Sequence, residues 1–147
     1  MHNHERDLTA APEIRRGVVR LSRRLRSARS GDPLSATKVG VLGHLHRRGP
    51  SSPSEIASAD HHRPQALTRV FAELETAGLL DRAPNEHDGR GAILSLTPDG
   101  VRALEHDMAE RDRWLAAALG GFSDLEVSVL QLAAQLMDRL ADADPPH

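Results

Sequence analysis

The chain has 147 residues, 39% hydrophobic and 27% charged, with a formal net charge of −2 and no cysteine. That is one soluble, globular domain's worth of chain, long enough to bury a core without staples, and no apolar run approaches the roughly 18 residues of a membrane span. The missing thiols exclude disulfides, thiolate metal sites, cysteine nucleophiles and thiol-oxidation switches, and two Phe, one Trp and no Tyr leave no stacking platform for single-stranded nucleic acid.

Residues 1–11 read as a ragged, disordered start, polar and carrying Glu5 and Asp7 rather than a signal peptide, so the cytoplasm is the expected location. Ile14, Val18, Leu21, Leu25 and Ala28 recur at helical spacing with arginines between them, up to a stop at Gly31-Asp32-Pro33. A second helix is predicted from Ser35 to Arg48, closed by Gly49-Pro50. Ser52-Pro53-Ser54-Glu55 then has the form of a capping box with proline at the first helical position. The helix it starts is very short, since Asp60-His61-His62 reads as a turn.

Pro64 opens a fourth helix that buries Leu67, Val70, Phe71 and Leu74 and closes at Gly78. Two short strands follow, 79–82 and 92–96, around the polar loop Pro84-Asn85-Glu86-His87-Asp88-Gly89-Arg90-Gly91. Thr97-Pro98 starts a fifth helix with the stripe Val101, Leu104, Met108, Leu115 and Leu119, broken by Gly120-Gly121. Ser123 and Glu126 form a second capping box, and the last helix carries Leu125, Val129, Leu132, Leu136 and Leu140 before fraying from Ala141.

Three central helices with a hairpin directly after the third describe a winged helix-turn-helix. The expected fold class is mostly α with a small β-hairpin wing, flanked by N- and C-terminal dimerisation helices. The chain divides into a tail and dimerisation helix (1–34), a DNA-binding region (35–97) and C-terminal dimerisation helices (98–147), intertwined as one domain. Long apolar stripes at both ends of a small chain call for a partner surface, and a homodimer is the economical one.

Charge is unevenly spread. Residues 1–50 hold 11 Lys and Arg against 4 Asp and Glu, residues 51–97 hold 4 against 7, and residues 98–147 hold 4 against 10. The basic first third and acidic last third pair with each other or are simply solvated. Because the middle third is net acidic, DNA affinity there must come from a few placed cations.

Two runs carry the function. One is Arg63-Pro64-Gln65-Ala66-Leu67-Thr68-Arg69. The other is Asp88-x-Arg90 followed by Ser95-Leu96-Thr97-Pro98-x-Gly100. In this order and spacing they resemble the recognition-helix start and the wing signature of the MarR family of transcription regulators. The match covers the second helix to the start of the fifth, and the flanking helices fit that family's dimerisation arms. One departure lies in the turn, where Asp60-His61-His62 stands in place of the small or glycine residue often found there. Asp and His tolerate left-handed backbone better than most residues.

The resemblance implies a sequence-specific regulator of double-stranded DNA, a repressor or activator whose grip on a pseudo-palindromic operator changes when a small aromatic or phenolic acid binds. A repressor relieved by its ligand is the expected form. A helix starting in the major groove offers Gln65 to adenine, Arg69 to guanine or phosphate, and Ala66 and Thr68 to thymine methyls, with Arg63 on phosphate. Arg90 would enter the minor groove, Asp88 would pair with and orient the arginine or a nearby cation, and Arg82 is a second-tier phosphate contact. Against these stand the plainer readings of a solvated helix face and an ordinary Asp-Gly hairpin turn.

For the effector, the candidate lining residues are Arg15 and Arg16, His44 and His46, and Trp114, which also suits interface packing. His44 and His46 lie about 200° apart on a helix, poor for sharing a metal, and neither a metal nor a cofactor is expected. No nucleophile elbow, P-loop, zincin or dinucleotide motif occurs, which argues against an enzyme. The competing class is a winged-helix protein-interaction module without DNA binding.

Overall fold

The computed structural model describes residues 2–28, 34–87, 89 and 91–144. Its elements are α1 (His2–Ser27), α2 (Ala36–Arg48), α3 (Pro53–Ala59), α4 (Pro64–Thr76), β1 (Leu80–Pro84), β2 (Ala92–Leu96), α5 (Pro98–Leu119) and α6 (Asp124–Ala141). The order is the one the sequence predicts: mostly helical, with one antiparallel hairpin. No helix among the described residues is long and apolar enough to cross a membrane.

Local chemistry places most boundaries. The Ser35 side chain accepts from the N–H of Lys38 at the start of α2, and Gly49 closes that helix at φ +79°, a backbone region open mainly to glycine. Both capping boxes close, Ser52 with Glu55 at α3 and Ser123 with Glu126 at α6. Each satisfies two backbone N–H groups that a helix start leaves without partners.

One expectation fails. Residues 2–11 are helical, not ragged, and α1 continues through Pro12. The segment before that proline is rich in helix formers, and the Thr9 hydroxyl bonds back to the carbonyl of Glu5. Proline's usual reading as a boundary does not hold here; the helix continues without one N–H. The stop expected at Gly31-Asp32-Pro33 lies outside the described residues.

The chain divides into two compact units, residues 1–111 and 112–147. In the first, α2, α3, α4 and the hairpin close around Val41, Leu42, Leu45, Ile56, Ala57, Leu67, Phe71, Leu74, Leu80, Leu94 and Leu104. Each large side chain among them contributes about 1.5–3 kcal/mol by leaving water. β1 pairs with β2 from Leu80↔Leu96 to Pro84↔Ala92. On its other side β2 takes a one-residue bridge from Ser51, whose N–H and carbonyl both bond to Leu94. The wing is thereby tied to the segment that leads into α3.

The start of α5 seats against the end of α4. The Thr97 hydroxyl donates to the carbonyl of Gly78 and accepts from the N–H of Gly100. A Cβ at Gly100 would collide with the carbonyl oxygen of Leu79, so this close approach admits only glycine. In the second unit α6 buries no residue, and its stripe Leu125, Val129, Leu132, Leu136 and Leu140 is exposed.

Candidate nucleic-acid interface

The site is built on α4. Its period of 3.6 puts Leu67, Phe71 and Leu74 in the core, which leaves Gln65, Ala66, Thr68, Arg69 and Ala72 on the open face, with Arg63 exposed at the N-cap. Five of the residues picked out in the sequence therefore share one solvent-facing surface at the start of one helix. No side chain caps this N-terminus; Pro64 has no N–H and the Ala66 N–H bonds to the carbonyl of Arg63, so the Gln65 N–H and the positive end of the dipole are what the helix start offers an anion. The Thr68 hydroxyl bonds back to the carbonyl of Pro64.

The turn between α3 and α4 bends at His61, with φ 55°, and among the described residues it is the only non-glycine at positive φ. The departure in the turn sequence thus falls where a glycine would be easiest to accommodate. The His62 N–H bonds back to the carbonyl of Ala57 and holds the bend.

Arg69 and Arg82 are both exposed, and both are already gripped. Arg69 Nε donates to Glu73 Oε1 at 2.9 Å and Arg82 Nε donates to Glu75 Oε1 at 2.7 Å. Glu73 Oε2 lies 3.0 Å from Lys38 Nζ on α2. The hydrogen bonds from Lys38 and then Arg69 hold the Glu73 carboxyl below the usual carboxylate range. Lys38, Glu73 and Glu75 did not stand out in the sequence, although the spacing of Arg69 and Glu73 is a recognised helical pair.

At the wing, the hairpin ends are defined. The Asn85 N–H bonds to the carbonyl of Gly91 and the Asn85 side chain accepts from the His87 N–H. Asp88 and Arg90 lie outside the described residues.

The residues named for an effector are placed differently from one another. Arg15 and Arg16 are exposed on α1, His46 is exposed on α2, and Trp114 is half-buried in the second unit. His44 is buried, its Nε2 lies 3.2 Å from Ser51 Oγ, and that hydroxyl donates to the carbonyl of Gly49. Since the Ser51 hydrogen is committed to Gly49, His44 Nε2 is the donor of this pair. Burial first, then the nearby Arg47 and Arg48, depress the His44 pKa below 6.5. His44 therefore pins the end of α2 to the strand-like residue beside β2, and that bond explains the side chain without a ligand.

The comparisons with known proteins agree with this geometry. The profile of the MarR family matches residues 32–91. An HTH-type transcriptional regulator of Mycobacterium bovis, Mb0904, is 34% identical over 139 residues, 95% of this chain and 97% of that protein. The HTH-type transcriptional repressor MdtR of Bacillus subtilis is 35% identical over 110 residues, 75% of this chain and 69% of that protein. Among solved structures, a transcriptional regulator of Pseudomonas aeruginosa superposes with a TM-score of 0.79 at 33% identity, covering 95% of this chain and 98% of that one. BpsR of Bordetella bronchiseptica shares the fold, with a TM-score of 0.67 at 21% identity over 88% of this chain and 98% of its own. With a relative this similar over nearly its whole length, the chain belongs to the MarR family of winged-helix transcriptional regulators and is not an enzyme.

Proposed function

We propose that this protein is a homodimeric repressor that binds a pseudo-palindromic double-stranded operator through α4 and the wing, and that a small organic ligand relieves it. The observation that carries the reading is the open face of α4, where Arg63, Gln65, Ala66, Thr68 and Arg69 stand opposite a buried apolar face. Such a helix start supplies base-edge contacts from its side chains and phosphate contacts from its backbone. Arg82 at the base of the hairpin adds a phosphate contact, while the roles of Asp88 and Arg90 rest on the family resemblance.

The dimer is supported by the exposed stripe of α6 together with Ile14, Val18 and Leu21 of α1, all more than 40% exposed. Apolar surface on this scale is not left in water by a folded protein. Two copies would set half-sites about one helical turn apart, roughly 10 bp. Ligand control is supported by BpsR, whose DNA binding is regulated by 6-hydroxynicotinic acid, and repression by the name of MdtR.

The test is a mobility shift with the DNA just upstream of the protein's own gene, at low and moderate salt. A shift that survives unrelated competitor and weakens with salt is expected. No shift even at low salt would instead favour a winged-helix protein-interaction module. A monomer in sedimentation at micromolar concentration would overturn the dimer.

A further inference from the structure

The acidic character of the middle third is at odds with a DNA-binding surface until its carboxylates are located. Two of them, Glu73 and Glu75, grip Arg69 and Arg82, two of the exposed arginines nominated for DNA, and both do so in the same way. In each pair the carboxylate takes the Nε of the guanidinium. Among the described residues no hydrogen bond uses the terminal nitrogens of Arg69 or Arg82. Those nitrogens form the edge that pairs bidentately with guanine or with a phosphate.

The Arg69–Glu73 pair is poorly placed for stability. Arg69 is 90% exposed and Glu73 41% exposed, and an ion pair so open to water contributes little to folding. Arg69 also precedes Glu73 by four residues, the weaker order for a helical ion pair. The pair's other consequence is geometric. A carboxylate fixed to Arg69 on one oxygen and to Lys38 on the other restricts the swing of a long side chain and cancels charge beside the surface that meets phosphate.

We infer that Glu73, and Glu75 in parallel, are positioning residues for DNA reading: each clamps the Nε edge of an arginine, aims its terminal nitrogens outward and suppresses sequence-independent attraction to phosphate. This rests on the α4 reading above. A free Arg69 and a free Lys38 would seek any phosphate within reach, so affinity without selectivity would rise. The clamped arginine instead presents one orientation, and only a base edge or phosphate at the matching position satisfies it. Selectivity is obtained partly by removing the competing attraction.

The test uses the full-length protein and fluorescence anisotropy. The probes are its upstream DNA, single-base variants of that DNA and an unrelated duplex, across a salt series. Glu73→Gln keeps the size and a hydrogen-bonding oxygen but removes the charge. It should bind the unrelated duplex several-fold tighter, steepen the salt dependence by about one unit of log–log slope, and lower discrimination at the base pair under Arg69 by about five-fold. Glu75→Gln should shift the slope the same way through Arg82, which keeps the inference testable if Glu73→Gln misfolds. Unchanged unrelated-duplex affinity and unchanged slope in folded variants would overturn it. Arg69→Ala separates the two ideas. If it weakens specific binding while the glutamine variants are silent, the α4 reading stands and the clamp falls. If Arg69→Ala is silent as well, both fall.

Discussion

The winged helix and the two terminal helices carry equally regular apolar stripes, yet only the winged helix covers its own. Leu67, Phe71 and Leu74 of α4 are at most 3% exposed, while Leu125, Val129, Leu132, Leu136 and Leu140 of α6 are 49–74% exposed. In α1 nearly every described side chain is open to water. Apolar periodicity shows that a face favours burial. It does not show whether the same chain buries it. The helices α2, α3 and α4 close with the hairpin around one shared core, whereas α6 buries no residue.

The contrast is broken most forcefully from the core side. Phe71→Ala should cost about 3–5 kcal/mol in thermal or urea denaturation, by lost burial and the cavity left behind, whatever the protein concentration. Leu132→Ala on α6 should instead act through protein concentration, shifting sedimentation toward monomer while the winged helix keeps its secondary structure. Equal, concentration-independent losses from both would mean that α6 is covered within its own chain.

Gly100→Ala comes next. The added methyl meets the carbonyl of Leu79 and must push α5 away from the end of α4, at about 2 kcal/mol. A cost near zero would show that this junction yields freely and belongs with the loosely packed regions.

The contrast sharpens with pH. His44 is buried with its pKa depressed, so the unfolded chain binds its proton more readily than the folded one. Its contribution is fully present above about 6.5 and is lost as pH falls through that value toward the lower, folded pKa. Denaturation followed from pH 7.5 to 5 should show this loss, and His44→Gln, which keeps a donor to Ser51 without the titration, should flatten it. A slope unchanged in His44→Gln would place the sensitivity elsewhere.

The smallest effect concerns the turn. At φ 55° a β-branched side chain is strained, so His61→Val should cost about 1 kcal/mol or more, while His61→Gly should change stability by less than about 1 kcal/mol, strain relief offsetting the lost backbone restriction. Val and Gly variants of equal stability would remove the strain argument.

Much of the fold was legible because its determinants are local. The serine and glutamate three residues apart at α3 and α6 cap helices wherever they occur, and Gly49 and Gly78 stand at positive φ. The start of α1 was missed because residues 1–11 are polar and the apolar stripe begins only at Ile14, whereas the helix runs from His2 through Pro12. In the candidate site, the exposed row on α4 followed from the burial of Leu67, Phe71 and Leu74. The partners of the arginines did not follow so readily. Arg69 and Glu73 are four residues apart and could have been paired. Lys38 lies on another helix and Arg82 on a strand, so their partners wait on the packing of α2 and β1 against α4. His44 shows the same limit: its alternation with His46 gives opposite faces but does not say which faces inward.

Apart from the bounds of α1, the sequence by itself determined which segments are helical, where they start and stop to within a few residues, which face of each is apolar, and that α4 opens with a polar, cationic start. Those properties depend on neighbours within about four residues, where covalent geometry sets the distances. Only the tertiary structure decided that His44 would be buried against Ser51, that Glu73 would bridge Lys38 and Arg69, and that α6 would leave its apolar face open. Each of these joins groups brought together by packing, or lacks a group that packing did not bring, and no local rule reaches across that separation.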